Sequence, residues 1–93
     1  MLKTEKFDYY KIKEGQTLRA VAEYFSVSEY LLAKVNGLKA PIYQGQILKI
    51  PEEKGNAYVV REGDTKELLC GSEENYLRKN GTDAFYIGMR IIL

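Results

Sequence analysis

No histidine occurs anywhere in these 93 residues. That absence removes the commonest general base, the usual zinc ligand and any standard catalytic triad. Cysteine is almost as scarce: Cys70 stands alone, so no intramolecular disulfide can staple the fold. A bacterial or cytosolic origin fits this better than a disulfide-rich secreted scaffold. No apolar run is long enough to span a bilayer. The first six residues, from Met1 to Lys6, contain no apolar core of a secretory signal. The expected location is therefore cytoplasmic or spore-associated, or the cell wall if a signal has been removed. An excess of basic charge is missing as well. Fourteen Lys and Arg face thirteen Asp and Glu, a net charge of +1, which is no footprint for nucleic acid. Neither a nucleic-acid partner, nor membrane insertion, nor a cofactor is expected.

What remains is globular composition, 45% hydrophobic and 29% charged. Residues 1–51 carry eight Lys/Arg and five Asp/Glu, a balance of +3, and residues 52–93 carry six and eight, a balance of −2. That asymmetry suits docking of the two halves or recruitment of a charged partner.

The chain repeats itself. Tyr10-Lys11-Ile12-Lys13-Glu14-Gly15-Gln16-Thr17 matches Tyr58-Val59-Val60-Arg61-Glu62-Gly63-Asp64-Thr65, and Asn36-Gly37 matches Asn80-Gly81. Ile42-Tyr43-Gln44-Gly45 then answers Phe85-Tyr86-Ile87-Gly88, while Leu48 and Ile50 answer Ile91 and Leu93. Three blocks in one order point to duplication.

Each copy reads strand–helix–helix–strand. Tyr10 and Ile12 alternate with Lys11 and Lys13, the period of a half-buried strand. Thr17 is a natural cap for a helix whose apolar stripe is Leu18, Val21, Ala22 and Phe25. Val27-Ser28 breaks that run, and Ser28 caps a second helix carrying Leu31, Leu32 and Val35. Asn36-Gly37 is expected to stop it, because both residues tolerate left-handed backbone angles. Ile47-Leu48-Lys49-Ile50 is the closing strand, ended by Pro51, and polar residues 52–56 form a linker.

The pattern Tyr10-x-Ile12-x-x-Gly15-x-Thr17-Leu18-x-x-Val21-Ala22, followed by Phe25-x-Val27, Leu32, Asn36 and Gly45-Gln46-x-Leu48-x-Ile50-Pro51, resembles the LysM family. The resemblance runs without a gap through residues 9–51, and weakens in the middle of the second copy. It implies an α+β fold of two tandem βααβ LysM-type units, each a two-stranded antiparallel sheet covered by two helices. The units are expected at 8–51 and 57–93. Thr17 to Asn36 spans 19 residues but Thr65 to Asn80 only 15, so the second copy's first helix is cut by about one turn. Gly71 is its expected stop, Ser72 the next cap, and the equivalents of Phe25 and Val27 are missing. Tyr76, Leu77 and Phe85, with packing against the first copy, are expected to fill the gap.

The resemblance also implies a sugar-binding groove between the loops Gly15-Gln16-Thr17-Leu18 and Leu38-Lys39-Ala40-Pro41-Ile42, which flank the two helices. Loop backbone groups would pair with acetamido groups, and apolar side chains would receive the acetyl methyl and sugar faces. In the second copy, Lys66 in place of a leucine and Thr82-Asp83-Ala84 in the other loop argue against a sugar site. Tyr10 and Tyr58 are expected to pack on the helices, and Tyr24, Tyr30 and Tyr43 to be exposed. Glu14, Glu62, Glu73 and Glu74 sit in turns or at a helix start, where capping and solubility explain them, so no enzyme is expected. Cys70, standing where the first copy has Ala22, should be buried and unreactive.

Two functions fit. The first is a non-catalytic module binding N-acetylglucosamine-containing polymer, either peptidoglycan or a chitin-type glycan, with affinity raised by multivalency. The alternative is a protein-interaction or spore-layer assembly module on the same scaffold.

Overall fold

The computed structural model describes residues 8–93. In chain order these form β1 (Asp8–Lys11), α1 (Leu18–Phe25), α2 (Glu29–Val35), β2 (Ile47–Ile50), β3 (Ala57–Val59), α3 (Lys66–Cys70), α4 (Glu73–Asn80) and β4 (Arg90–Ile92). The strands make two separate antiparallel sheets, β1 with β2 and β3 with β4. Tyr10 lies opposite Leu48 in the first, and Tyr58 opposite Ile91 in the second. The alternation of Ile47-Leu48-Lys49-Ile50 is realised: Leu48 and Ile50 are buried, while Ile47 faces outward. Both opening strands end one residue earlier than the alternation suggests. Ile12 and Val60 lie just past the ladder yet still exchange two backbone hydrogen bonds with the turn opposite. Ile12 donates to Gln46 O and accepts from Gly45 N; Val60 donates to Met89 O and accepts from Gly88 N.

All four helices start as their capping residues dictate. Thr17, Ser28, Thr65 and Ser72 each accept, through the side-chain oxygen, from the backbone N–H three residues on. α3 is only five residues long, and Gly71 ends it at φ 87°, a backbone angle that costs glycine little. Asn36 departs from expectation. Its φ is −100°, and only Gly37 is left-handed, at φ 59°. Instead the Asn36 side chain is a connector: its Nδ2 donates to Leu32 O and Lys49 O, and its Oδ1 accepts from Lys49 N. Asn80 makes the same three bonds, to Tyr76 O, Ile92 O and Ile92 N. Each asparagine ties its helix end to the closing strand.

The first half has a core of seven buried residues, Ile12, Val21, Ala22, Val27, Leu32, Leu48 and Ile50. The second has four, Val60, Tyr76, Met89 and Ile91. α3 contributes no buried residue. Tyr76 fills the gap left by the short helix, with Phe85 edge-on to its ring at 5.4 Å, and burial pushes the Tyr76 phenol up to about 12. Leu77 does not help: it is exposed, because the face of α4 towards the sheet is taken by Tyr76 and Asn80. Val35 is likewise at the surface, three residues past the buried Leu31-Leu32 pair.

The first half supplies what the second lacks. Tyr30 packs onto the second core, so this tyrosine is part of the joint rather than an exposed contact. Ser28 Oγ donates to Asn80 O at 2.7 Å, and Arg90 Nη1 donates to Val27 O at 3.0 Å. These bonds satisfy carbonyls at helix and loop ends that would otherwise be buried without a partner. Gly81 sits so close to α2 that a Cβ there would lie 2.6 Å from Leu31 Cα. Gly55 N donates to Ser26 O, and Leu93 N to Asn56 O, so residues 52–56 are also tied to both halves.

Candidate functional site

The two loops singled out in the first half come together. A cavity of about 510 Å³ is lined by Gln16, Thr17, Leu18, Ala33, Leu38, Ala40, Pro41 and Ile42. Of the nine residues expected there, Gly15 and Lys39 fall outside the lining: Gly15 is in the turn at φ 80° and Lys39 is exposed. Leu18, Leu38 and Ile42 have a double role. They wall the groove and also pack on the first core, so Ile42 is half-buried rather than a free loop residue. Ala33 is the lining residue that the loop pattern does not reveal. It lies on α2, one residue after the buried Leu32, and its carbonyl accepts from Leu38 N, which folds the second loop back over the helix. A small side chain there leaves the groove its depth.

The groove wall carries no charged side chain; six of its eight residues are apolar. Its polar edge is held rigidly. Gln16 Oε1 accepts from Tyr10 OH at 3.0 Å and from Lys13 N at 2.8 Å. Thr17 Oγ1 accepts from Ala20 N at 3.1 Å. Tyr10 itself is wedged edge-on against Phe25, with ring centroids 5.3 Å apart, so a core aromatic positions a groove residue. The repeated spacing of Tyr10 to Gln16 and Tyr58 to Asp64 carries this pairing in the sequence. Tyr24 and Tyr43 are exposed as expected, but neither lines the groove.

At the corresponding place in the second half the surface is different. Two adjoining concavities share Lys66, Glu73 and Asp83, and between them take in Asp64, Thr65, Glu67, Glu74, Tyr76, Leu77 and Phe85. Five acidic residues, Asp64, Glu67, Glu73, Glu74 and Asp83, line these concavities together with Lys66. Lys66, which follows Thr65 as Leu18 follows Thr17, holds its Nζ 5.2 Å from the Tyr76 ring centroid. Asp64 repeats the bonds of Gln16: its Oδ2 accepts from Tyr58 OH and Arg61 N, both at 2.7 Å. Chiefly the Tyr58 hydroxyl, then the Arg61 N–H, hold its carboxyl below the usual carboxylate range.

Another hollow, about 490 Å³, is lined by Lys11, Ile12, Lys13, Glu14, Gln44 and Gly45. Among the described residues no group of His, Cys, Asp or Glu could hold a metal ion, and no helix is long and apolar enough to cross a membrane. Cys70 is half-buried rather than fully buried, because α3 ends beneath it. Burial raises its thiol above the ordinary range, with nearby Lys79 opposing, which leaves little thiolate for reaction.

Residues 10–51 match the LysM domain family, so a LysM domain is found there. A search of curated proteins returns no match. Among solved structures, the spore cortex-lytic enzyme SleL of Bacillus megaterium QM B1551 is 25% identical over 94% of this chain and 22% of that chain, with a TM-score of 0.48. SleL of Bacillus cereus is 18% identical over 95% of this chain and 23% of that one, with a TM-score of 0.47. The chain thus spans less than a quarter of the length of these structures.

Proposed function

We propose that the protein is a non-catalytic binding module whose groove, at Gly15–Leu18 and Leu38–Ile42, takes N-acetylglucosamine-containing glycan of the peptidoglycan or chitin type. LysM is a binding module rather than a catalytic domain, and LysM domains typically bind such glycans. The observation that carries the reading is the groove itself. An uncharged apolar wall of Leu18, Ala33, Leu38, Ala40, Pro41 and Ile42 beside fixed polar groups suits a neutral sugar that has an acetyl methyl and few charges. We further read the chain as two units, 8–51 and 57–93, joined at 52–56, the second being a shortened copy that has lost the sugar site. The same element order, the paired Asn36 and Asn80 connectors and the paired Tyr10–Gln16 and Tyr58–Asp64 contacts support that reading.

Titration with N-acetylglucosamine oligomers and peptidoglycan fragments, followed by backbone NMR, tests both parts. Shifts should concentrate at Gln16, Thr17, Leu38 and Ile42 and stay small at Asp64, Thr65 and Asp83. Shifts centred on the second half would overturn the groove assignment. No shift with either glycan at saturation would leave the second reading, a protein-interaction or spore-layer assembly module. The carboxylate-lined surface around Lys66 is the observation that favours that alternative.

A further inference from the structure

Tyr24 is an aromatic ring that the fold holds in place and leaves in water. It packs edge-to-face on Phe25, with ring centroids 4.9 Å apart, and lies 6.4 Å from the ring of Tyr10. Yet 76% of the residue is exposed. Tyr9 and Tyr43 are exposed too, but among the described residues no ring contact steadies either of them. A tyrosine has only two side-chain torsions to fix on binding, and at Tyr24 the neighbouring rings already restrain them.

Helix geometry places this ring relative to the groove. Thr17, part of the groove lining, caps α1 and accepts from Ala20 N. Tyr24 comes four residues after Ala20 and seven after Thr17. Spacings of three, four and seven bring residues to one face of an α-helix. Thr17, Ala20 and Tyr24 therefore form one stripe, and all three are exposed. Its ends are two turns apart, about 10 Å along the axis. Ala20, in the middle, has no side chain beyond Cβ and leaves the way between them open. Tyr10 joins the two ends from the side, bonding Gln16 at the groove's polar edge and packing near Tyr24.

We infer that Tyr24 is a stacking subsite for a sugar beyond those held in the groove, so that the protein grips a run of linked sugars. The inference rests on the glycan-binding reading above and adds to it where the rest of the polymer lies. The occupant is a further unit of the same glycan, because the exposed stripe begins in the groove lining and ends at the ring. A β-linked N-acetylglucosamine unit carries its substituents equatorially, so each flat face shows axial C–H groups. Such a face stacks on a tyrosine ring and removes apolar area of both from water. The second half has no counterpart. Seven residues after Thr65 stands Ser72, past the end of α3, where it caps α4.

The experiment is an NMR titration of the full chain and its Tyr24→Ala variant with two probes, the N-acetylglucosamine disaccharide and the pentamer. The disaccharide fills the groove without reaching the ring; the pentamer covers both. In the unaltered protein the pentamer should shift Ala20 and the Tyr24 ring signals, and the disaccharide should not. Tyr24→Ala should weaken pentamer binding about fivefold to tenfold, the scale of one stacked ring, and leave the disaccharide unchanged. Tyr24→Phe keeps the ring and should retain pentamer affinity. Alanine is a good helix former at an exposed position, so both variants should stay folded, which the dispersion of their spectra checks. Unchanged pentamer binding in Tyr24→Ala overturns the inference while leaving glycan binding intact. So does an equal loss for both probes, which would mean that Tyr24 only steadies α1, and so does a loss in Tyr24→Phe as large as in Tyr24→Ala. If the unaltered protein binds neither probe, the glycan reading fails and this inference with it.

Discussion

Residues 8–51 and 57–93 share a frame and differ in what the frame holds. In both halves a tyrosine on the opening strand fixes a polar side chain six residues on, and an asparagine at the end of the second helix bonds the closing strand through the same two contacts. Each device needs only one or two side chains of definite shape, and each recurs in both halves while their surroundings differ. The groove and core are less constrained. One half walls its groove with Leu18, Ala33 and Ile42; the other lines its concavities with Lys66 and five acidic residues. One half closes a seven-residue core by itself, and the other borrows Tyr30. The two halves thus share an order of elements and two side-chain devices, and differ in the surface and core built around them.

The largest expected effect comes from cutting the halves apart. A fully buried aliphatic or aromatic side chain contributes roughly 1.5–3 kcal/mol, so the smaller second core has little margin once Tyr30 and the bonds from Val27 and Ser28 are gone. A fragment of residues 52–93 should be largely unfolded, while 1–51 gives a dispersed NMR spectrum. A well-dispersed spectrum from the isolated second half would break the comparison.

Next is Gly81. Gly81→Ala places a Cβ against the Leu31 backbone at a residue with φ 69°. The left-handed backbone alone costs about 1–3 kcal/mol for a non-glycine residue, and the clash adds to it. Gly37, the matched position, has φ 59° but nothing within 4 Å of a Cβ. Gly37→Ala should therefore cost only the backbone share, and urea unfolding of the two variants measures the difference.

Asparagine replacement sharpens the contrast further. Asn80 is fully buried, so Asn80→Ala strands the Ile92 N–H and C=O away from water, at about 1–3 kcal/mol for each unsatisfied group. At Asn36 the bonds to Lys49 are exposed, water can replace them, and Asn36→Ala should cost about 1 kcal/mol. Equal losses in urea unfolding would show that the second half's connector is no more sheltered than the first's.

The smallest effect is a pH dependence confined to the second half. Asp64 has a folded-state pKa held below its unfolded value by Tyr58 and Arg61. Its contribution is present above the unfolded carboxylate pKa of about 3.9 and is lost as pH falls through the lower folded value. The Tm advantage over Asp64→Asn should hold from neutral pH to about 5 and then shrink on acidification. Gln16, in the same cradle, does not titrate, so Gln16→Asp should acquire this acid sensitivity in the first half.

Much of this was legible in the residues. Alternation placed the strands to within a residue, and Thr17, Ser28, Thr65 and Ser72 began all four helices because capping is a local property. Gly71 and the missing turn foretold the short α3. The groove loops were legible from the family pattern and Ala33 was not, because a small helical residue looks alike whether it faces a cavity or a neighbour. Leu77 was misplaced because Tyr76 and Asn80 take the inner face of α4, and Tyr30 because its partner lies in the other half. The periodicity of a helix of seven or eight residues fixes that it has an apolar face, but which residues at the border of that face meet a partner depends on the other half of the molecule. Asn36 was misread because a left-handed stop and a side-chain connector use the same residue type.

The joint through Ser28, Asn80, Val27 and Arg90 has one more consequence. Its four groups come from the α1–α2 corner on one side and from the α4 end and β4 on the other, so the halves cannot swivel like beads on a string. They should tumble as one rigid body with a single rotational correlation time. Any chain held in the first groove is thereby gripped at a set angle to the charged face around Lys66, as a handle is set to a blade.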